Sequence, residues 1–381
     1  MKYKILAFVL IFSVLFNNFQ FIGKILLSDL IYLLSIVVII LLILKNTKKI
    51  ILDYNKLTLI ILVVLIISLS FINNESVYSF LSSYRTLFGI TLTYIITIYY
   101  INNINQQFYF LNIYLLFVLL CSIYIIIQNI FYYSLGIILP FDFGQFTYAM
   151  NSINEPSTHY IGIIRTGGFF REPSWYAYFA FLALYISFDF KNYKTLGIIS
   201  LGLIISTSSA GIGLLLLFIV YLLFKSSIKY ATIFIVLIFI TMGVLYILVP
   251  SIFTRLEFFL ETGGSTSIRI IEPFLVLYND NFNTFIGSNI EFLRQDGVFF
   301  VNSIVYLMLT FGFLGFLFVI LFILNLKSIW LSVNVILLLL TEGLLGRPDF
   351  WILIAVLNVF VYYNRLLKKN YIKKEIKNVC K

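Results

Sequence analysis

Cysteine, histidine and charge are all scarce in this chain of 381 residues, which has two cysteines, one histidine and 11% charged residues. Cys121 lies in an apolar run and Cys380 in a basic tail, so no disulfide framework or cysteine cluster for a metal is available. The acidic residues lack the Asp-x-Asp or His-rich spacing of an ion site. We therefore expect neither a metal nor another cofactor.

What the chain has in abundance is apolar sequence. Hydrophobic residues make up 61% of it, and its mean hydropathy of +1.04 lies outside the soluble range. The expected fold class is all-α: a polytopic integral membrane protein whose single membrane domain, 1–381, contains about twelve transmembrane helices. We place them near 5–22, 25–44, 57–72, 84–101, 109–131, 174–190, 194–208, 210–224, 230–249, 300–324, 328–345 and 350–364.

Two of these helices are less evident from hydropathy alone. The apolar run from residue 5 to residue 16 is followed by polar residues in place of a small-residue cleavage site, which favours a retained helix over a signal peptide. Between 194 and 224 two helices share a short segment that is broken near 206–211. One long helix there would carry Lys225 and Lys229 to the wrong side of the membrane, so we expect two short helices.

The basic residues divide by type across the predicted membrane. Nearly all lysines fall on one side, which is cytoplasmic because short loops rich in Lys and Arg are retained inside. The formal charge of +10 thus reflects lysines near anionic membrane lipids and does not indicate nucleic-acid binding. The outer side receives Lys24 and most of the arginines: Arg85, Arg165, Arg171, Arg255, Arg269, Arg294 and Arg347. Guanidinium groups suit a phosphate-bearing ligand, because their planar fork binds two oxygens at once.

Two predicted outer loops, 132–173 and 250–299, are long enough to have a function of their own. A basic cytoplasmic tail occupies 365–381. Three expected helix starts on the outer side combine an arginine with a proline, namely Arg171-Glu172-Pro173, Arg269-Ile270-Ile271-Glu272-Pro273 and Arg347-Pro348. Proline favours the first helical position, and backbone N–H groups there attract anions. An arginine beside such a terminus is a candidate clamp for pyrophosphate.

Alternatives remain at each of these positions. Arg171 would also suit a lipid phosphate, and Glu172 is either a helix cap or a general base. His159, the only histidine, shares the first loop with Arg165 and has either a structural or a binding role. The aromatic residues around this loop either stack on sugars, line a groove for a lipid tail, or form an ordinary interfacial belt. They include Tyr160, Phe169, Phe170, Trp175, Tyr176 and Tyr178.

The segment Gly168-Phe169-Phe170-Arg171-Glu172-Pro173-Ser174 resembles the Phe-x-x-Glu-Pro-Ser signature of Wzy-type O-antigen and capsular polysaccharide polymerases, relatives of the O-antigen ligases. The order of Ser267-Ile268-Arg269, Phe285-Ile286-Gly287, Asn302 and Phe311-Gly312-Phe313-Leu314-Gly315 is also similar. Ligases have a His-Asn pair where this chain has Val301-Asn302, and Ser-Arg where it has Ser209-Ala210. These departures favour the polymerase branch.

The resemblance implies a glycosyltransferase of the bacterial cytoplasmic (inner) membrane, multi-pass and with its active face outward. It would join undecaprenyl-pyrophosphate-linked oligosaccharide repeat units into O-antigen, capsule or exopolysaccharide. A chain-length regulator and a flippase are candidate partners, besides membrane lipids. The expected catalytic residues are Arg171, Glu172 and Arg269, and the expected substrate-binding residues are Arg165, His159, Arg85, Arg294 and Arg347. An O-antigen ligase, a flippase or transporter of lipid-linked oligosaccharide, and a non-enzymatic scaffold or sensor remain alternatives.

Overall fold

The computed structural model describes most of the predicted helices and parts of the connections. The described residues are 2–16, 20–22, 25–45, 77–101, 103–137, 139, 159–160, 163–164, 166–170, 172–225, 302–325, 328–341 and 347–379, with isolated positions between 232 and 243. The second predicted outer loop, 250–299, lies outside them, as do the predicted span at 57–72 and most of the one at 230–249.

Ten α-helices occupy the described ranges, and the expected all-α class is confirmed. Two short antiparallel strand pairs accompany the helices: β1 (Gln20–Ile22) with β2 (Ile25–Leu26), and β3 (His159–Tyr160) with β4 (Ile163–Ile164). A 3-10 turn, Ser13–Phe16, follows the first helix. The helices are α1 (Lys2–Phe12), α2 (Leu27–Lys45), α3 (Val77–Ile101), α4 (Ile104–Leu135), α5 (Pro173–Asp189), α6 (Tyr193–Ile205), α7 (Ser209–Lys225), α8 (Ser303–Asn325), α9 (Ile329–Thr341) and α10 (Pro348–Val379).

Within the described residues, three helical segments are long and apolar enough to cross a membrane: Leu27–Lys45, Ile104–Leu135 and Asp349–Leu367. Each would span about 28 Å or more at the rise of an α-helix, which matches the hydrocarbon core of a bilayer. The chain is therefore a membrane protein by length and composition. The total of twelve crossings and the orientation stay predictions.

The described chain forms two compact units. The first comprises Met1–Leu10, Ile31–Phe110 and Ser265–Lys381, and the second comprises Ile11–Leu30 and Leu111–Gly264. In the first unit α3 packs closely on α10, because Gly89 leaves room for the buried indole of Trp351. One turn further along α3, the hydroxyl of Thr93 donates to the Trp351 carbonyl oxygen at 2.9 Å. The missing side chain of Gly89 on α3 thus leaves space for the large side chain of Trp351 on α10.

One predicted crossing, 300–324, has a different structure. Its helix α8 begins at a buried N-cap, Asn302, whose Oδ1 accepts from the Val305 amide at 2.9 Å. The helix then bends sharply at Gly312, where φ is 56° and ψ is −137°. The bend brings Gly315 so close to the Leu307 carbonyl that a Cβ at 315 would overlap the oxygen. A straight helix would separate these two positions by about 12 Å, so α8 consists of two helical segments joined at Gly312, and the crossing at 300–324 stays a prediction.

In the second unit α5 packs against α6 and α7, which also contact each other. The predicted break between the two short helices is confirmed, since α6 ends at Ile205 and Ser208 begins α7 by accepting the Gly211 amide at 3.2 Å. Lys225 at the end of α7 forms an ion pair of 2.6 Å with Asp189 at the end of α5. These two helix ends therefore lie side by side.

A Schellman motif joins α5 to α6. The Asn192 amide donates to the Ser187 carbonyl at 2.8 Å, and the Lys191 amide donates to the Phe188 carbonyl at 3.0 Å. Lys191 occupies the left-handed position of the motif, with φ 58°, where glycine is usual. The side chain of Asn192 then caps α6 by accepting from the Thr195 amide at 3.3 Å. Local chemistry alone thus accounts for the sharp turn between two packed helices.

Candidate functional site

The Glu-Pro-Ser segment starts α5 as predicted, with Pro173 at the first helical position. Glu172 is the N-cap residue and has extended backbone angles, φ −120° and ψ 139°. Its carboxylate makes no capping hydrogen bond to the backbone. Instead, the Ser174 hydroxyl donates to Glu172 Oε2 at 3.3 Å. Since the side chain does not cap the helix, its oxygens keep acceptor capacity, and the role of Glu172 as a base stays a prediction.

A short loop before this helix start, residues 166–170, is docked on α4. Asn129 Nδ2 donates to Thr166 Oγ1 at 2.7 Å and to the Ile125 carbonyl oxygen at 2.9 Å. Gln128 Nε2 donates to the Gly168 carbonyl oxygen at 3.3 Å. All three polar side chains, of Asn129, Gln128 and Thr166, are buried. Because such groups are costly to bury without partners, their mutual bonds define where the loop lies.

Two glycines allow the loop to approach α4 closely. Gly168 has a positive φ of 68°, and a Cβ there would lie 2.8 Å from the Cys121 carbonyl oxygen. At Gly167 a Cβ would overlap the Phe170 carbonyl oxygen, while the Phe170 amide donates to the Gly167 carbonyl in a turn at 3.1 Å. The two positions need glycine for different reasons, one for conformation and contact and the other for the tight turn.

The aromatic residues of the loop pack within the protein. Phe170 is buried and meets the rings of Phe117 on α4 and Phe179 on α5 at centroid distances of 6.0 and 5.1 Å. Phe169 stacks on Tyr124 of α4 at 4.6 Å. The ring of Phe170 is thus part of the core and not a sugar platform, and one face of Phe169 is covered.

Hydrogen bonds deeper in the unit join α4 to α5. The Tyr114 hydroxyl donates to the Phe179 carbonyl at 2.5 Å, and Ser122 Oγ lies 2.7 Å from Tyr176 Oη. Gly202 of α6 lies against this second pair, since a Cβ there would be 2.6 Å from the tyrosine oxygen. Helix α5 is therefore hydrogen-bonded to α4 at two positions along its length, Tyr176 and Phe179.

Arg347 precedes the second proline-started helix, α10, as predicted. Its guanidinium binds Asp349 with two hydrogen bonds, Nε to Oδ1 at 3.1 Å and Nη2 to Oδ2 at 2.7 Å. The Asp349 side chain is only 5% exposed, and its charge also suits the first turn of a helix. Two of the five N–H donors of Arg347 are thus directed to its own helix.

The remaining predicted site residues are described in part or not at all. His159 lies on β3, where its backbone pairs with Ile164, and Arg85 lies within α3. For His159 and Arg85 the structure describes the backbone and not the side chain. Outside the described residues are Arg165, Arg171, Arg269 and Arg294. Of the predicted site, the structure therefore describes the side chains of Glu172 and Arg347, which belong to different compact units.

The residues that hold the loop, Gln128 and Asn129, are absent from the sequence-based prediction. A signal for them exists, because two adjacent amides in the apolar helix α4 require partners in a membrane. They also continue the helical spacing that begins with Cys121, Tyr124 and Ile125, which places all five on neighbouring parts of one helix face. Among the described residues, no group of three or more His, Cys, Asp and Glu could hold a metal ion.

The fold and this loop define a helical membrane protein whose Glu-Pro-Ser helix start is held against a neighbouring apolar helix. Comparisons with protein-family models, with curated proteins and with solved structures find no match for the chain.

Proposed function

We propose that this protein is a polysaccharide polymerase that joins lipid-pyrophosphate-linked oligosaccharide repeat units at the outer face of the bacterial cytoplasmic membrane. The observation that carries the proposal is the placement of residues 166–170 and of Glu172, in and beside the segment 168–174 that resembles the polymerase signature. The loop is hydrogen-bonded to α4, and Glu172 stands at the start of α5 with its carboxylate unused in capping. A reactive segment needs this kind of fixed support. The membrane-spanning character of the helices suits a substrate with a lipid carrier.

In the proposed reaction, the bond between the growing glycan and its undecaprenyl pyrophosphate breaks. A glycosidic bond forms to a hydroxyl of the incoming lipid-linked unit, and undecaprenyl pyrophosphate leaves with the electron pair. Glu172 accepts the hydroxyl proton. Arg171 and Arg269 stabilise the charge that develops on the pyrophosphate, as preorganised charges do in many enzymes.

The other arginines and His159 would contact the sugars or the second pyrophosphate. They are Arg165, Arg85, Arg294 and Arg347. Of these, Arg347 forms a bidentate pair with Asp349. O-antigen, capsule and exopolysaccharide are equally suitable products, and a flippase and a chain-length regulator are the proposed partners.

The direct test supplies purified protein in liposomes with undecaprenyl-pyrophosphate-linked repeat units as the only substrate. We expect a ladder of products at multiples of one unit, with release of undecaprenyl pyrophosphate. Arg171→Ala and Arg269→Ala should abolish the ladder. Arg171→Lys should fail nearly as badly, because a point charge does not replace the planar fork. The matched control is Arg365→Ala on the exposed side of α10.

Glu172→Gln tests the proposed role of that residue as the base. It keeps the size and hydrogen-bonding capacity of the side chain but removes the base, so we expect loss of polymer with unchanged protein abundance. Near-normal ladders from Arg171→Ala and Arg269→Ala would refute the clamp. Movement of the substrate between leaflets without any new glycosidic bond would instead identify a flippase, and transfer of glycan to a lipid A acceptor would identify a ligase.

A further inference from the structure

One face of α4 holds the loop of residues 166–170, which leads to the proposed catalytic segment. Asn129 binds Thr166, and Gln128 binds the Gly168 carbonyl. Toward the start of the helix, Tyr124 stacks on the ring of Phe169. These contacts hold Thr166, Gly168 and Phe169 along about one and a half turns of α4.

This docking determines where the proposed base lies. Three residues separate Gly168 from Glu172, and one of them, Phe170, packs between α4 and α5. Such a short connection has few accessible conformations once Thr166 and Gly168 are hydrogen-bonded to α4. The position of Glu172 at the start of α5 is therefore coupled to the amides on α4.

We propose that Asn129 and Gln128 are positioning residues for the transfer reaction, acting through Thr166 and Gly168; this rests on the proposed function. A buried amide is a poor choice for stability alone, because an apolar side chain of similar size would pack in this helix without needing a partner. An amide that donates in a fixed direction is instead suited to holding one loop conformation. A displacement of about 1 Å at a reacting group can slow chemistry on the order of a hundredfold.

The first test measures polymer formation by Asn129→Leu, Thr166→Val, Thr166→Ser and the Asn129→Leu/Thr166→Val double variant. We expect kcat to fall at least about tenfold in both single variants, with KM changed less than about twofold, because the lesion affects chemistry rather than substrate binding. The double variant should be no worse than the single variants, since both break the same hydrogen bond. Thr166→Ser keeps the hydroxyl, so this variant should keep near-wild-type activity. Ser134→Ala, at an exposed position on the same helix, is the matched control.

The second test does not depend on activity. In a Cys380→Ser background, a cysteine introduced by Glu172→Cys is labelled with a maleimide; Cys121 is buried and is retained. Adding Thr166→Val should raise the labelling rate several-fold, while Ser134→Ala should leave it unchanged. If the wild-type protein makes no polymer, the proposed function fails and the labelling alone decides whether the loop is held as inferred. Unchanged labelling, or a normal kcat per folded molecule in Asn129→Leu and Thr166→Val, would overturn the positioning role.

Discussion

Replacement of Gly168 by alanine tests whether the loop of residues 166–170 needs glycine at this backbone position. Gly168 has φ of +68°, in the left-handed region that disfavours residues with a Cβ. The added methyl group would lie 2.8 Å from the carbonyl oxygen of Cys121 and 3.2 Å from a side-chain carbon of Ile125. The oxygen belongs to the backbone of α4 and cannot rotate away. The loop must therefore move or accept the strain.

The two contributions set the expected size of the effect. The left-handed conformation costs a residue with a Cβ about 1–2 kcal/mol. A shift of the loop also weakens the bond of 3.3 Å between Gln128 and the Gly168 carbonyl, and a typical hydrogen bond contributes about 1 kcal/mol. We therefore expect Gly168→Ala to lower the free energy of unfolding by about 2–3 kcal/mol.

The assay is an unfolding titration of purified protein in mixed detergent micelles, followed by fluorescence. Gly197→Ala on α6 is the matched control, because a Cβ there has no atom within 4 Å. That control should be neutral or more stable, by up to about 1 kcal/mol, since alanine is the better helix former. The reasoning is refuted if Gly168→Ala unfolds at the same midpoint as the control.

Three further predictions concern helix packing and connections. Gly89→Ala should destabilise the protein by about 1–3 kcal/mol, because the added Cβ overlaps the buried ring of Trp351; the unfolding titration measures it. Lys191→Gly should stabilise it by about 1 kcal/mol, because glycine tolerates the φ of 58° at this position. Cysteines introduced one at a time at Asp189 and Lys225 should be labelled from the same side of sealed vesicles, because an ion pair of 2.6 Å joins the two residues.

The first two of these predictions have control variants, and the third has an outcome that would contradict it. Gly213→Ala, at a position with no atom within 4 Å of the new Cβ, should not share the loss seen at Gly89. Lys194→Gly removes the same side chain from helical backbone and should destabilise by up to about 1 kcal/mol; equal effects of the two lysine changes would contradict the strain at Lys191. Labelling of Asp189 and Lys225 from opposite sides would contradict the arrangement of α5 to α7.

The starts of two helices could be predicted because local chemistry determines them. Pro173 and Pro348 each occupy a first helical position, where the missing amide proton of proline has no cost. The break between α6 and α7 could also be predicted, since polar residues interrupt an apolar run and lysines on either side limit the topology. In all these places the deciding residues are neighbours in sequence.

The bend in α8 could not be predicted in the same way. The run around Gly312 is apolar apart from Thr310, and glycine is common within membrane helices, so hydropathy indicates one crossing. What distinguishes the bend is the close approach of Gly315 to the Leu307 carbonyl, a contact between two segments of the folded helix. The docking face of α4 was missed for a related reason. Gln128 and Asn129 are visible as polar residues in an apolar helix, but their partners lie about forty positions away in the chain.

The two described helix starts that combine arginine and proline differ in where their acid stands, and this affects their value as anion sites. In α10 the acid follows the proline, and Asp349 takes the Arg347 guanidinium in a bidentate pair. That carboxylate offsets the charge that an incoming pyrophosphate would need. In α5 the acid precedes the proline, and the Glu172 carboxylate accepts from Ser174 at the helix start. The positive end of the helix dipole favours a negatively charged carboxylate in this place, and this helix start belongs to the segment that resembles the polymerase signature. In the proposed reaction, the chemistry therefore belongs at α5, and Arg347 has a supporting role.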